Sequence, residues 1–173
     1  MDQYYNSISS GYENLYGKEQ RNKIRFVFEN KILDENEMSG ISVLDVGCGS
    51  SVYKDMIKAK FYVGIDPSIG LLRKGNILSF LGFSEKLPFS DNSFDLVISL
   101  SAVQNFTDVD LSINEILRVC KMNGKIIISV GKRFDRVVPK IKAFLRIREE
   151  FSKLRDLEIF EQEKDLIFSM IKV

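Results

Sequence analysis

The residues best suited to chemistry lie in one run, Val43-Leu44-Asp45-Val46-Gly47-Cys48-Gly49-Ser50-Ser51. An apolar segment ends there at two glycines, with an acid two positions before the first. Glycines let the backbone turn tightly and approach a ligand without Cβ interference. A helix starting after such a turn points its first amides at a carboxylate or phosphate. Twenty-one residues after Asp45, Asp66 ends a second apolar run, Phe61 to Ile65, in Gly64-Ile65-Asp66-Pro67. An acid at the tip of a second strand is placed to bind vicinal ribose hydroxyls. The pair implies a nucleoside-containing cofactor lying across the carboxyl ends of the strands.

The spacing narrows the choice of cofactor. A dinucleotide fingerprint needs a third glycine three residues after the second, where Val52 stands, and has no use for an acid at Asp45. That disfavours a nucleotide-dependent oxidoreductase. No P-loop is present. Asp45 suits a ligand with an ammonium group, which points to the methionine moiety of S-adenosylmethionine.

Composition removes other chemistries. The 173 residues contain no histidine, which excludes Ser-His and Cys-His catalysis and any histidine-ligated metal. Two cysteines, Cys48 and Cys120, are too few for a disulfide framework or a cysteine-rich zinc site, and no metal is expected. Lys+Arg and Asp+Glu number 25 and 24, so net charge selects no partner. With 45% hydrophobic and 28% charged residues, one good core is expected in a single domain over 1–173. The start, Met1-Asp2-Gln3-Tyr4-Tyr5, has no signal-peptide pattern, and no apolar run approaches the ~20 residues that cross a bilayer. A cytoplasmic protein without membrane contact is expected.

The elements that must position these residues alternate in type. Ile24, Val27, Phe28 and Ile32 fall at helical spacing over 19–33. Strands are expected over Ile41–Val46, Phe61–Ile65, Ile77–Phe83, Phe94–Leu100 and Lys125–Val130. Short helices are expected over Ser51–Ala59 and Pro67–Lys74, and Asn123-Gly124 reads as a turn before the isoleucine-rich strand. Ile113, Ile116, Leu117 and Cys120 mark one face of a helix that Asp108 or Asp110 could cap. Val137, Ile141, Phe144 and Phe151 share a later helical face, and Leu157–Phe160 with Leu166–Ile171 reads as a closing antiparallel pair. Short apolar strands alternating with helices indicate an α/β fold with a sheet covered on both faces.

Four segments in this order resemble the class I S-adenosylmethionine-dependent methyltransferases of the type 11 kind. They are Asp45-Val46-Gly47-Cys48-Gly49, Gly64-Ile65-Asp66-Pro67-Ser68, Glu85-Lys86-Leu87-Pro88-Phe89 with Asp91 to Val97, and Glu115 to Val119 with Gly124-Lys125. The resemblance implies a Rossmann-like doubly wound sheet of seven mostly parallel strands, order 3-2-1-4-5-7-6, with strand 7 antiparallel. It implies a cofactor site of Asp45, Gly47, Cys48, Gly49, Asp66, Pro67, Phe83, Ser84 and Ser99, covered by an N-terminal helical segment over 1–40. Two departures from the family pattern stand out. Ser51 replaces a usual third glycine, and Phe83 stands where an aspartate usually meets the adenine amino group.

For the methyl acceptor the residues say less. Tyr12, Gln104 and Asn105 are candidate substrate residues, and Tyr4, Tyr5 and Tyr16 could close over the cofactor. The signature that marks many amino-group methylating enzymes is absent. Ser101-Ala102-Val103-Gln104 is similar to a segment of small-subunit rRNA guanine-N7 methyltransferases. Residues 131–155 hold nine Lys/Arg against three acids. Such a run reads first as a solvated face and second as a phosphate-tracking surface, so nucleic acid could bind through residues 132–155. The expected function is methyl transfer to an RNA base or a small molecule, with a partner subunit or homodimer supplying selectivity. The alternative is a degenerate, non-catalytic scaffold of the same fold.

Overall fold

The computed structural model describes residues 4, 7, 11, 13–150 and 153–173. Tyr5, Tyr12 and Phe151, singled out above, lie outside the described residues. A π-helical turn over Glu13–Gly17 runs into helix α1, Lys18–Glu29. Strand β1 is Ser42–Val46 and β2 is Phe61–Asp66, followed by the one-turn helix α2, Ile69–Leu72. Strands β3, Leu78–Leu81, and β4, Phe94–Leu100, precede α3, Val109–Val119. The chain closes with β5 (Cys120–Gly131), α4 (Val137–Glu150), β6 (Leu154–Glu161) and β7 (Asp165–Lys172).

The seven strands form one sheet in the order β3-β2-β1-β4-β5-β7-β6. Pairings β1–β2, β1–β4, β2–β3 and β4–β5 are parallel, and β7 runs antiparallel to β5 and β6. The order and the antiparallel seventh strand are those the resemblance implies. Alternation along the strands splits the apolar residues between two layers. Leu44, Val46, Val97, Ile126 and Ile128 pack with Ile113 and Ile116 of α3 and Ile141 and Leu145 of α4. Val43, Leu96, Ile98 and Ile127 pack with Ile24 and Val27 of α1 on the other face. Asp108 is the residue that caps α3, its carboxylate accepting from the Leu111 amide at 3.0 Å.

Two expectations need correction. No α-helix forms over Ser51–Ala59; only Lys54–Met56 makes a 3-10 turn. Tyr53 and Ile57 are instead buried against the α1 face, an inward pull that outweighs local helical preference. Asn123-Gly124 is not a turn preceding β5 but a bulge within it. Phe94 pairs with Cys120 and Leu96 with Lys125, so four residues oppose Asp95. Asn123 takes φ 62 there, and a Cβ on Gly124 would meet the Lys121 carbonyl oxygen at 2.8 Å.

Candidate functional site

The carboxyl ends of β1, β2 and β4 converge on a cavity lined by Gly47, Gly49, Ile65, Asp66, Pro67, Leu71, Phe83, Ser84 and Glu85, with Ser101, Ala102, Asn105 and Phe106 opposite. Gly47 and Gly49 adopt φ 75 and φ 54, the left-handed region that only glycine enters cheaply. A Cβ on Gly47 would come 2.3 Å from Ala102 Cβ, so the β1 turn and the loop after β4 touch through the missing side chain. Ser51 also turns left-handed, at φ 50. The chain therefore keeps a glycine-like conformation where the third glycine is replaced.

Asp66 forms the floor. Its two carboxylate oxygens accept from the Gly49 amide at 2.9 Å and the Ser68 amide at 2.8 Å. An ionised carboxylate has about four acceptor positions, so acceptor capacity remains for a ligand. The residue is 8% exposed, and burial pushes its pKa up against the two amide hydrogen bonds. Phe83, more than half exposed, and Ile65, Pro67 and Leu71 give the cavity apolar walls. The rim is tied by Glu85, which accepts from the Thr107 amide at 2.7 Å and the Asp108 amide at 3.1 Å. Ser84 Oγ lies 2.9 Å from Ser112 Oγ of α3.

Three of the nine expected cofactor residues do not line this cavity. Asp45, with no exposed surface, points by strand alternation into the α1 layer. There Tyr53 donates to it at 2.9 Å and Tyr62 at 2.7 Å. Burial, only partly offset by those bonds, raises its pKa to about 7. Cys48 is packed against Gly64, whose notional Cβ would sit 2.5 Å from its Sγ, and burial pushes the thiol pKa well up. Ser99 is wholly buried on the α3 side of β4. Gly47, Gly49, Asp66, Pro67, Phe83 and Ser84 do come together.

A second, larger cavity of about 590 Å³ adjoins the first, and Ser101 and Asn105 line both. Its other walls are Tyr4, Tyr16, Glu19 and Gln20 from the N-terminal segment, Gln104, the β5 end at Gly131 with Lys132 to Phe134 beyond it, and Glu163 and Lys164 with Asp165, the first residue of β7. Of the expected acceptor residues, Gln104 and Asn105 are there. Lys132 and Arg133 reach the same cavity, while Arg136, just before α4, and Lys140 and Arg146 along it stand exposed. The anchor of this region is Lys23 of α1. Its ammonium, almost wholly buried, meets Asp165 at 3.0 Å and Glu19 at 2.8 Å and donates to Ser101 Oγ. Nothing in the sequence marks it, because a lysine on an amphipathic helix reads as solvent-facing. Glu85, Ser101 and Ala102 fall within the motif segments, but no spacing rule singles them out as cavity walls.

Among the described residues no group of three or more His, Cys, Asp or Glu could hold a metal, and no helix is long and apolar enough to cross a membrane. A sheet of this order, with a glycine turn after β1 and an acid at the β2 tip, defines the Rossmann-like methyltransferase class. Residues 44–128 match the methyltransferase domain family of type 11. Over those residues, which run from β1 into β5, the chain carries a methyltransferase domain. It is 27% identical over 164 residues to YrhH of Bacillus subtilis, named as a methyltransferase, covering 87% of this chain and 89% of that protein. An uncharacterized protein of Methanocaldococcus jannaschii is 29% identical over 139 residues, 78% of this chain. The match spans about half, 53%, of that relative's length.

Solved structures share the fold at low identity. An S-adenosylmethionine-dependent methyltransferase of Methanococcus maripaludis superposes with a TM-score of 0.74 at 18% identity, covering 99% of this chain and 93% of that one. A chain from the complex between the Haloferax volcanii Trm112 methyltransferase activator and a methyltransferase gives 0.70 at 15% identity, covering 97% of each chain.

Proposed function

We propose that the protein is a catalytically active methyltransferase that holds S-adenosylmethionine in the cavity over Asp66 and admits its acceptor through the larger cavity beside it. The observation that carries the reading is the Asp66 carboxylate, fixed by two backbone amides at the floor of an apolar-walled cleft, with spare acceptor capacity facing the cavity. Vicinal ribose hydroxyls suit that carboxylate. Phe83, Ile65, Pro67 and Leu71 supply apolar walls for a purine, where a carboxylate on the base is replaced by an aromatic face. Gly47 and Gly49 leave room for the methionine end. Asp45 supports the glycine turn from beneath through Tyr53 and Tyr62.

When bound, the sulfonium supplies an electrophilic methyl group. The chain's own residues bind, orient and exclude water, which is most of what an in-line displacement needs. Ser101 and Asn105, common to both cavities, stand where acceptor and methyl group would meet.

Calorimetric titration with S-adenosylmethionine, S-adenosylhomocysteine and NAD tests the reading. Micromolar binding of both sulfur compounds but not NAD is expected, and Asp66→Ala should lose that affinity. A chain that binds neither sulfur compound is not this enzyme.

A partner subunit belongs to the same reading. The Haloferax neighbour comes from a complex with an activator. Here the edge strand β3 leaves Leu78, Phe80 and Leu81 substantially exposed, an apolar edge of the kind proteins normally cover. Sedimentation of the chain alone and of the chain co-expressed with a Trm112-type protein tests this, and a stable heterodimer is expected.

A further inference from the structure

The wall of the larger cavity continues into a surface of one charge sign. Lys132, Arg133 and Phe134 line the cavity, and α4 begins three residues beyond Phe134. Residues 132–148 hold seven Lys/Arg and one acid, Asp135, in a chain whose totals of 25 and 24 nearly cancel. Ile141 and Leu145 are buried, while Arg136, Lys140 and Arg146 are exposed and Lys142 is half-buried beside them. By helical spacing the three exposed cations fall on the side away from Ile141 and Leu145. Among the described residues neither these four cations nor Arg133 forms an ion pair. Lys132 meets Glu161 at 3.4 Å. Of the acids lining the cavity, Glu19 and Asp165 are engaged by Lys23 and Lys164, leaving Glu163.

This arrangement is unfavourable to the helix itself. Lys142 and Arg146 are like charges one turn apart, which repel. The first turn of α4 has no acid, and Lys140 there with Arg136 just before it puts positive charge where the helix dipole is already positive. An anion laid along the face relieves both. Local costs of this kind are expected where a surface serves a ligand.

We infer that this face binds the sugar-phosphate backbone of a single-stranded polynucleotide and that one of its bases, delivered into the larger cavity, is the methyl acceptor. The inference rests on the methyltransferase reading above and names the substrate class of that same site. A small acid needs one or two cations at the cavity itself. Here they continue from Arg133 to Arg136, at most about 11 Å of chain, and on along a helix about 20 Å long, which suits a repeating anion. A membrane surface needs an apolar face as well, and Ile147 is the one large apolar side chain exposed on α4. The cavity, at about 590 Å³, is roomy enough for a base, and Tyr4, Tyr16 and Phe134 in its walls suit stacking. A duplex keeps its bases stacked and out of reach, so the strand must be single. In the transfer, a lone pair on the base forms the bond to the methyl carbon as the C–S bond breaks. The electron pair stays on sulfur, and a proton displaced from the base leaves to water.

The test uses the full chain with random-sequence single-stranded RNA and DNA pools, the RNA as duplex, and vesicles of phosphatidylserine and phosphatidylcholine. Fluorescence anisotropy follows binding between 50 and 200 mM salt. Trideuteromethyl-labelled S-adenosylmethionine, with mass spectrometry of the digested nucleosides, follows transfer. Five phosphate contacts predict an affinity for single strands that falls about 100-fold over that salt range. Arg136→Gln, Lys140→Gln and Arg146→Gln together should reduce the slope of log affinity against log salt by about 2 and bind about tenfold more weakly at 50 mM. Lys54→Gln, Lys58→Gln and Lys60→Gln together remove the same charge from exposed sites before β2 and should leave both unchanged. Calorimetry should give the same S-adenosylhomocysteine affinity for both triple variants and the parent. Label is expected in one or both single-stranded pools, and which pool takes it shows whether the sugar is read. The inference is overturned if neither pool binds or takes label, if the duplex is labelled as well as the single strand, if vesicles bind and the pools do not, or if the two triple variants lose binding equally. Absence of S-adenosylhomocysteine binding in the parent chain brings down the methyltransferase reading itself, a distinguishable result.

Discussion

The ammonium of Lys23 lies 3.0 Å from a carboxylate oxygen of Asp165, with side chains only 1% and 4% exposed. This pair joins α1 to the first residue of β7, across the edge of the larger cavity. Glu19 and Ser101 complete its coordination, so the N-terminal helix and the loop after β4 are held by one charge.

Removing that charge should be expensive. Lys23→Met leaves Asp165 buried without a cation, a change that costs about 3–5 kcal/mol in comparable pairs. The exposed pair Arg21–Asp55, at 2.7 Å, is the internal control; Arg21→Met should cost about 1 kcal/mol or less from the pair itself. Urea unfolding followed by circular dichroism measures both. Equal losses for the two variants would show that Lys23 is not acting as a buried partner.

Asp45 makes stability depend on pH in a direction opposite to most carboxylates. Its folded pKa of about 7 lies above the ordinary 3.8, so the folded state holds the proton more tightly than the unfolded chain. The stability it contributes is complete below pH 3.8 and is lost as the pH rises to about 7. The slope approaches 1.4 kcal/mol per pH unit between those limits. Asp95 acts the other way: Lys121 and Ser42 lower its pKa to about 2 despite burial, so its contribution disappears only under strong acid. Asp45→Asn isolates the first effect. From pH 4.5 to 7.5 the parent should lose stability relative to Asp45→Asn, by denaturant midpoints at each pH; parallel curves would place the Asp45 pKa near its ordinary value.

The sheet was readable from sequence because its strands are near-continuous apolar runs bounded by glycine or polar clusters, as a buried parallel sheet requires. Asp66 was readable because a carboxylate at a strand tip beside glycines has few structural uses. Asp45 shows the limit of that argument. The same position within a motif puts one carboxylate on the cavity side and another on the α1 side, and only the phase of β1 separates them. Its partners, Tyr53 and Tyr62, sit eight and seventeen residues away, with no periodic relation to it. Lys23 and Gln20 were invisible for a related reason. Their burial depends on β7 and on the loop after β4, far along the chain.

Ser51 offers a gain. It holds φ 50 in the glycine turn, and a left-handed conformation costs a non-glycine residue roughly 1–2 kcal/mol. Ser51→Gly should recover that strain, less the 0.5–1 kcal/mol or so that glycine's extra freedom in the unfolded chain costs. The net expectation is a rise in stability of about 0.5–1 kcal/mol with S-adenosylhomocysteine affinity maintained or improved. A fall in the unfolding midpoint would mean that the Ser51 side chain stabilises the turn by more than its backbone strain.

Gly47→Ala should damage both stability and binding, and the two causes can be separated. The new methyl group meets Ala102 Cβ at 2.3 Å, and the backbone at φ 75 is strained for any side chain. Ala102→Gly removes the partner of the clash without changing φ. The double variant Gly47→Ala/Ala102→Gly should therefore recover the part of the loss due to overlap, leaving about 1–2 kcal/mol from the left-handed backbone. Ala102 belongs to the loop that lines both cavities, so the overlap should also push that loop outward. Calorimetry with S-adenosylhomocysteine would then show weakened affinity in Gly47→Ala and partial recovery in the double variant. If Ala102→Gly restores nothing, the two loops are not in the contact that joins the cofactor turn to the acceptor wall.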